Sequence, residues 1–126
     1  MTLTIHRGSR KDIIRTLLQE ATDRPPSLIV DCANCADPHT LFPFIPMETF
    51  ASVHVIIAEA IYRFRDSLKQ VPEFAQQLGT RTIIITPFDR LFDYGNTQET
   101  EDVINHAWEL MQQLAQEYTV ITGVAD

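Results

Sequence analysis

The chain has 126 residues, enough for one domain that buries about two thirds of its unfolded surface and needs no disulfide or metal staple. Hydrophobic content of 44% and charged content of 21% fit a soluble globule. No apolar run nears the ~20 residues of a membrane span, so a cytoplasmic protein without a membrane partner is expected. A net charge of −7 argues against direct nucleic-acid binding, which rests on clustered Lys and Arg.

Short apolar runs alternate with helical periodicity, which predicts an α/β fold with a mainly parallel five-stranded sheet and helices on both faces. Leu3–Ile5 reads as a first strand. Asp12–Ala21 reads as a helix with Ile13, Ile14, Leu17 and Leu18 on one side, ended by Pro25-Pro26. Ser27–Asp31 is a second strand. Residues 37–50 carry Pro38, Pro43 and Pro46 and predict irregular chain, with Phe42, Phe44, Ile45 and Phe50 folding back onto the core. Val53–Ile57, nearly all β-branched, reads as a strand covered on both faces. Ala58–Gln70 predicts a helix with Ile61, Phe64 and Leu68 inward, broken at Pro72, with a short turn to Leu78 and a stop at Gly79. Arg81–Thr86 is a fourth strand. A helix capped at Asn96 or Thr97, with Glu99 placed to complete a capping box on Asn96, should run to about Tyr118. It should bury Val103, Ile104, Ala107, Met111, Leu114 and Ala115. Thr119–Thr122 is a fifth strand.

Charge is unevenly spread. The first 24 residues hold five basic groups (Arg7, Arg10, Lys11, Arg15, Arg24) against three acids, whereas from Asp89 onward eight acids face only Arg90. Such asymmetry serves solubility, and it also suits contact between copies or with a protein partner.

Cys32 and Cys35 are the only cysteines and form a C-x-x-C pair. Three readings stay open: structural thiols kept reduced, a redox pair of the thioredoxin type, or half of a metal site for which His39 could add a third ligand. Against the redox reading, the pair is followed by Ala36-Asp37-Pro38 rather than a long helix. His6 and His39 fall near the expected carboxyl rim of the sheet, where α/β folds bind ligands. His54 sits in an apolar strand as a packed residue, and His106 lies on the boundary of its helix.

Leu28-Ile29-Val30-Asp31-Cys32-Ala33-Asn34-Cys35-Ala36-Asp37-Pro38 resembles the second core strand of the RecA-type P-loop ATPases, with the same six-residue step from a strand-end Asp to Asp-Pro. In that register the family's water-activating glutamate falls on Ala33. Ile5-His6-Arg7-Gly8-Ser9-Arg10-Lys11-Asp12 resembles a P-loop aligned on Lys11. In it, Ile5 and Arg10 replace the two glycines, and Asp12 replaces the magnesium hydroxyl. Ile83-Ile84-Ile85 resembles a Walker B strand closed by Thr86 instead of an Asp. The resemblance extends in element order from Leu3 to about Val124 and includes KaiC-like relatives. It implies a three-layer RecA-like fold as a single domain with its ATPase groups replaced. It further implies no obligate cofactor and at most weak ATP contact at a remnant loop of Gly8, Ser9, Arg10 and Lys11. The partner so implied is a protein, either a second copy or a RecA-like recombinase. If the family holds, the first strand should lie between the fourth and fifth, or next to the fourth.

Overall fold

Three runs of β-branched and aliphatic residues become the interior of one sheet. A computed structural model describes residues 2–36, 52–92 and 97–126. Its strands are β1 (Leu3–Gly8), β2 (Ser27–Asp31), β3 (Val53–Ile57), β4 (Thr82–Ile85) and β5 (Thr119–Ala125). All neighbours pair in parallel, in the order β1-β5-β4-β2-β3. Three helices complete the described fold: α1 (Arg10–Asp23), α2 (Ile61–Leu78) and α3 (Thr97–Leu114). A 3₁₀ turn spans Asp89–Phe92.

Strand alternation divides the core into two halves. Leu28, Val30, Ile83, Ile85 and Val120 face α2 and α3, where Phe64, Leu68, Val71, Ala107 and Met111 meet them. Ile29, Ile84 and Ile121 point to the opposite face, against Ile13, Leu17, Leu18 and Ala21 of α1. The molecule is therefore a three-layer α/β fold, as the alternating pattern predicts. Full burial of each such aliphatic or aromatic side chain contributes roughly 1.5–3 kcal/mol. At Gly123 on β5 the packing is closer still. A Cβ there would collide with the Ile13 Cγ2 methyl, so the missing side chain is what lets α1 sit directly on the sheet.

Several expectations are corrected. β1 is an edge strand on the outer side of β5, neither between β4 and β5 nor beside β4. The geometric cause lies in α1, which packs across β5 and β4 on its way from β1 to β2, leaving room for both strands between them. β1 also continues past Ile5 to Gly8, because its ladder with β5 uses backbone groups and tolerates the polar side chains of His6 and Arg7. β3 is the other edge, half-buried rather than doubly covered, with Ile57 55% exposed.

Pro72 does not break α2, which runs unbroken from Ile61 to Leu78. A proline there forfeits one helical hydrogen bond at a cost of roughly 3 kcal/mol. Buried Phe64, Leu68, Val71 and Ala75 on both sides of it hold the helix to the sheet regardless. Gly79 closes the helix in the left-handed region (φ 69°), donating its N–H to the last turn. α3 stops at Leu114, before the expected Tyr118, in a turn where the Tyr118 N–H still reaches the Leu114 carbonyl at 2.8 Å. β5 runs on to Ala125. The Asn96 cap, the Asp37-Pro38 step, His39 and the aromatics Phe42, Phe44 and Phe50 lie outside the described residues.

Candidate functional site

The carboxyl ends of β2 and β4 lie side by side, and there the chain gathers its buried polar groups. Asp31 closes β2 and is 2% exposed. Its carboxylate bends the following residues around itself: it accepts from the Ala33 N–H at 3.2 Å, the Cys35 N–H at 3.1 Å and the Ala36 N–H at 2.9 Å. The Cys35 thiol lies 3.6 Å from the same carboxylate. Asn34 takes the positive φ (52°) that this tight reversal requires, a conformation Asn tolerates better than most residues. Asp31 is thus the organising acceptor of a turn.

Thr86, fully buried at the end of β4, bridges to that turn. Its hydroxyl accepts the Cys32 N–H at 2.7 Å and lies within donating range of the Val30 carbonyl at 3.4 Å and an Asp31 oxygen at 3.5 Å. Its own N–H donates to the Val30 carbonyl at 3.1 Å. A carboxylate in place of Thr86 would set a second negative charge against Asp31 in a desolvated pocket, which is unfavourable. On β5, buried Thr122 donates to the Ile85 carbonyl at 2.8 Å and ties the third strand end into the same rim.

Both cysteines are free, each 8% exposed, and the segment that carries them is irregular rather than the start of a helix. Burial, then the Asp31 charge and the Asp31 hydrogen bond, push the Cys35 thiol up to about 12, with Arg10 acting weakly in the other direction. Burial and the Asp31 charge raise Cys32 further. The environment therefore holds both groups as thiols, whereas redox exchange and metal ligation both need the thiolate. Among the described residues no three His, Cys, Asp or Glu side chains group so as to hold a metal.

The remnant P-loop takes a different shape from a phosphate cradle. β1 runs straight through Gly8 (φ 150°), and α1 begins at Arg10, so Ser9 alone joins strand to helix. Ser9 is the N-cap, and its hydroxyl accepts the Asp12 N–H at 3.2 Å. The Ile13 N–H donates to the Ser9 carbonyl at 2.9 Å. First-turn amides that would face a phosphate are in this way partly satisfied by the chain itself. Arg10 is turned to Asp89, just beyond β4, in an ion pair of 2.9 Å, while Lys11 is exposed. Gly8, Ser9, Arg10 and Lys11 are contiguous at the rim, yet no loop wraps around a common centre.

His6 lies on β1 opposite Gly123, with a buried Nε2 that has no hydrogen-bond partner among the described residues. His54 is half-buried on edge strand β3, and His106 is half-buried on α3. Beside the rim is an apolar notch of about 190 Å³ lined by Phe88, Phe92, Ile104, Trp108 and Val124, with Asp89 at its mouth. Phe88 is its hub, with its ring 4.7 Å from that of Phe64 at a tilt of 31° and edge-on at 5.4 Å to Trp108. Sequence reasoning marked Asp31 as a strand-end acid but missed its role as a turn acceptor. The usable signal was Asp followed by small residues and Asn, the composition of an Asx-type turn.

Among the described residues, no helix is long and apolar enough to cross a membrane. No protein-family model and no curated protein sequence matches the chain. The class defined by fold and rim is an α/β protein with an all-parallel sheet and a self-satisfied carboxyl edge.

Proposed function

We propose that the chain is a non-catalytic protein that acts by protein–protein contact as an accessory or regulatory protein. It resembles the RecA-like ATPases in element order, though its β1 stands at the sheet edge where that family's order would place it inside. The resemblance suggests DNA recombination or repair as its setting. The observation that carries the reading is the direct passage of β1 into α1 through the single residue Ser9, where an ATPase needs a loop long enough to wrap phosphates. The rim supports it, because the two acids that resemblance would look for are replaced coherently. Ala33 is one donor in the Asp31 turn, and Thr86 is the hydroxyl that pins the turn to β4. Among the described residues, rim polar groups of this kind hold the chain to itself: the Asp31 carboxylate is taken up by its own turn, and Asp89 pairs with Arg10.

Two rival readings are weaker on the same geometry. Anion binding by Arg10 and Lys11 competes with the Arg10–Asp89 pair and the Ser9 cap. A thiol oxidoreductase would need Cys32 or Cys35 ionised, against the burial that keeps both protonated.

The test is steady-state phosphate release from ATP with Mg²⁺. The purified protein should match a buffer control, since losing one transition-state group costs about 10²–10³ in rate and here several are replaced. Turnover above control that disappears in Lys11→Ala would refute the proposal.

A further inference from the structure

The apolar notch beside the rim stands where an open α/β sheet is suited to receive a ligand. β5 lies between β1 and β4, and the chain leaves those two strands to opposite faces, from β1 into α1 and from β4 toward α3. Such a divergence opens a crevice beyond the carboxyl ends of the strands. The notch, about 190 Å³, lies there, between Val124 of β5, Phe88 and Phe92 after β4, and Ile104 and Trp108 of α3. A dry cavity of about 150 Å³ already takes a benzene-sized guest, so the space suits a group of that bulk. Its walls are chemically particular. The rings of Phe92 and Trp108 stand at 75° and 62° to that of Phe88, with centroids 6.2 Å and 5.4 Å away. Three ring planes thus meet steeply around one space instead of stacking to close it. The polar group at the mouth is the Asp89 carboxylate, 58% exposed. Arg10 donates to its Oδ1 at 2.9 Å, and its Oδ2 has no partner among the described residues.

We infer that this notch binds a quaternary ammonium head, as carried by small choline-type compounds. Aromatic faces attract a cation through the ring quadrupole, most strongly where water is excluded, and Trp is the best of the ring types. A methylated ammonium suits such a box because its charge lies under methyl groups that need no hydrogen-bond acceptor. A primary ammonium would turn N–H donors toward carbon and lose their hydrogen bonds. An anion is disfavoured by the same ring faces and by Asp89. A neutral apolar guest would gain burial alone and make no use of the carboxylate. Asp89 supplies the complementary charge at the entrance, held in place through one oxygen by Arg10. The net charge of −7 further favours the approach of a cation. The inference rests on the notch and goes beyond the contact role proposed above, so an ATPase result in either direction leaves it intact.

Trp108 is the only tryptophan of the chain, so its fluorescence reports the notch directly. Titrating the full chain with choline chloride, against sodium chloride at matched ionic strength, should change that emission along a saturable curve. Neohexyl alcohol, the uncharged isostere with carbon in place of nitrogen, should bind about tenfold more weakly or worse. Phe92→Leu keeps the notch apolar but removes one ring face, and should weaken choline binding about tenfold with an unchanged circular-dichroism spectrum. Asp89→Asn should weaken it about threefold, as befits an exposed charge. If Phe92→Leu does not fold, the comparison of choline with the alcohol on wild type decides the matter. No saturable response to choline, equal affinity for the alcohol, or folded Phe92→Leu and Asp89→Asn variants that bind choline as wild type does would each overturn the inference.

Discussion

Replacing Asp31 by alanine should be among the most costly single changes in this chain, and for a structural reason. The carboxylate is the acceptor for three backbone amides, two of them on buried residues, Cys35 and Ala36. An amide left buried without an acceptor costs roughly 1–3 kcal/mol. Two such amides give about 2–6 kcal/mol, and half-buried Ala33 adds little because water can reach it. Loss of the buried charge offsets part of the penalty, so about 4 kcal/mol is expected. For a domain of this size that is a fall of ~10–20 °C in Tm. Asp31→Asn keeps the shape and one carbonyl acceptor but turns an NH₂ toward the donors, and should lose about half as much. Urea denaturation followed by circular dichroism measures both. An Asp31→Ala protein within ~1 kcal/mol of wild type would refute the account of Asp31 as the turn's acceptor.

Other consequences are as direct. Gly123→Ala forces a methyl into Ile13 beneath α1 and should cost about 1–3 kcal/mol in urea melts. Phe88→Ala removes the hub shared by Phe64, Phe92 and Trp108 and should cost about 3–5 kcal/mol, with a shift in Trp108 fluorescence. Both thiols are raised above the ordinary value of 9.0. The stability they contribute is fully present below pH 9 and is lost as pH rises toward about 12, because the unfolded chain ionises first. Removing both as Cys32→Ser/Cys35→Ser should flatten that alkaline decline in urea midpoints measured across the range. By the same cause, a thiol reagent at pH 8 should modify both cysteines slowly in the native protein and rapidly in denaturant.

Much of this architecture can be read from the chain because the decisive signals are local. The β-branched centres of β2 and β4 and the 3.6-residue spacing of Ile13, Leu17 and Leu18 place elements without reference to the rest of the molecule. Strand order is different in kind. Nothing near Leu3 says that β5 will fit between it and β4, since that depends on how far α1 reaches across the sheet. The same limit explains β3. Val53–Ile57 has the composition of a central strand, yet its place at the edge is fixed by where β2 and β4 pair. Pro72 misleads for an energetic reason, as a local penalty is outweighed by packing on either side of it. At the rim, residue types are legible but roles are not. Thr86 reads as a missing acid until its hydroxyl is seen accepting the Cys32 amide, and Asp31 reads only as a strand-end acid until its donors prove to be its own turn.

The central claim is that strand β1 leads into α1 without a phosphate-binding loop, and calorimetric titration with Mg²⁺–ATP tests it most directly. The account predicts a dissociation constant no tighter than about 1 mM, roughly −4 kcal/mol, with Lys11→Ala indistinguishable from wild type. A micromolar constant that is lost in Lys11→Ala would contradict it.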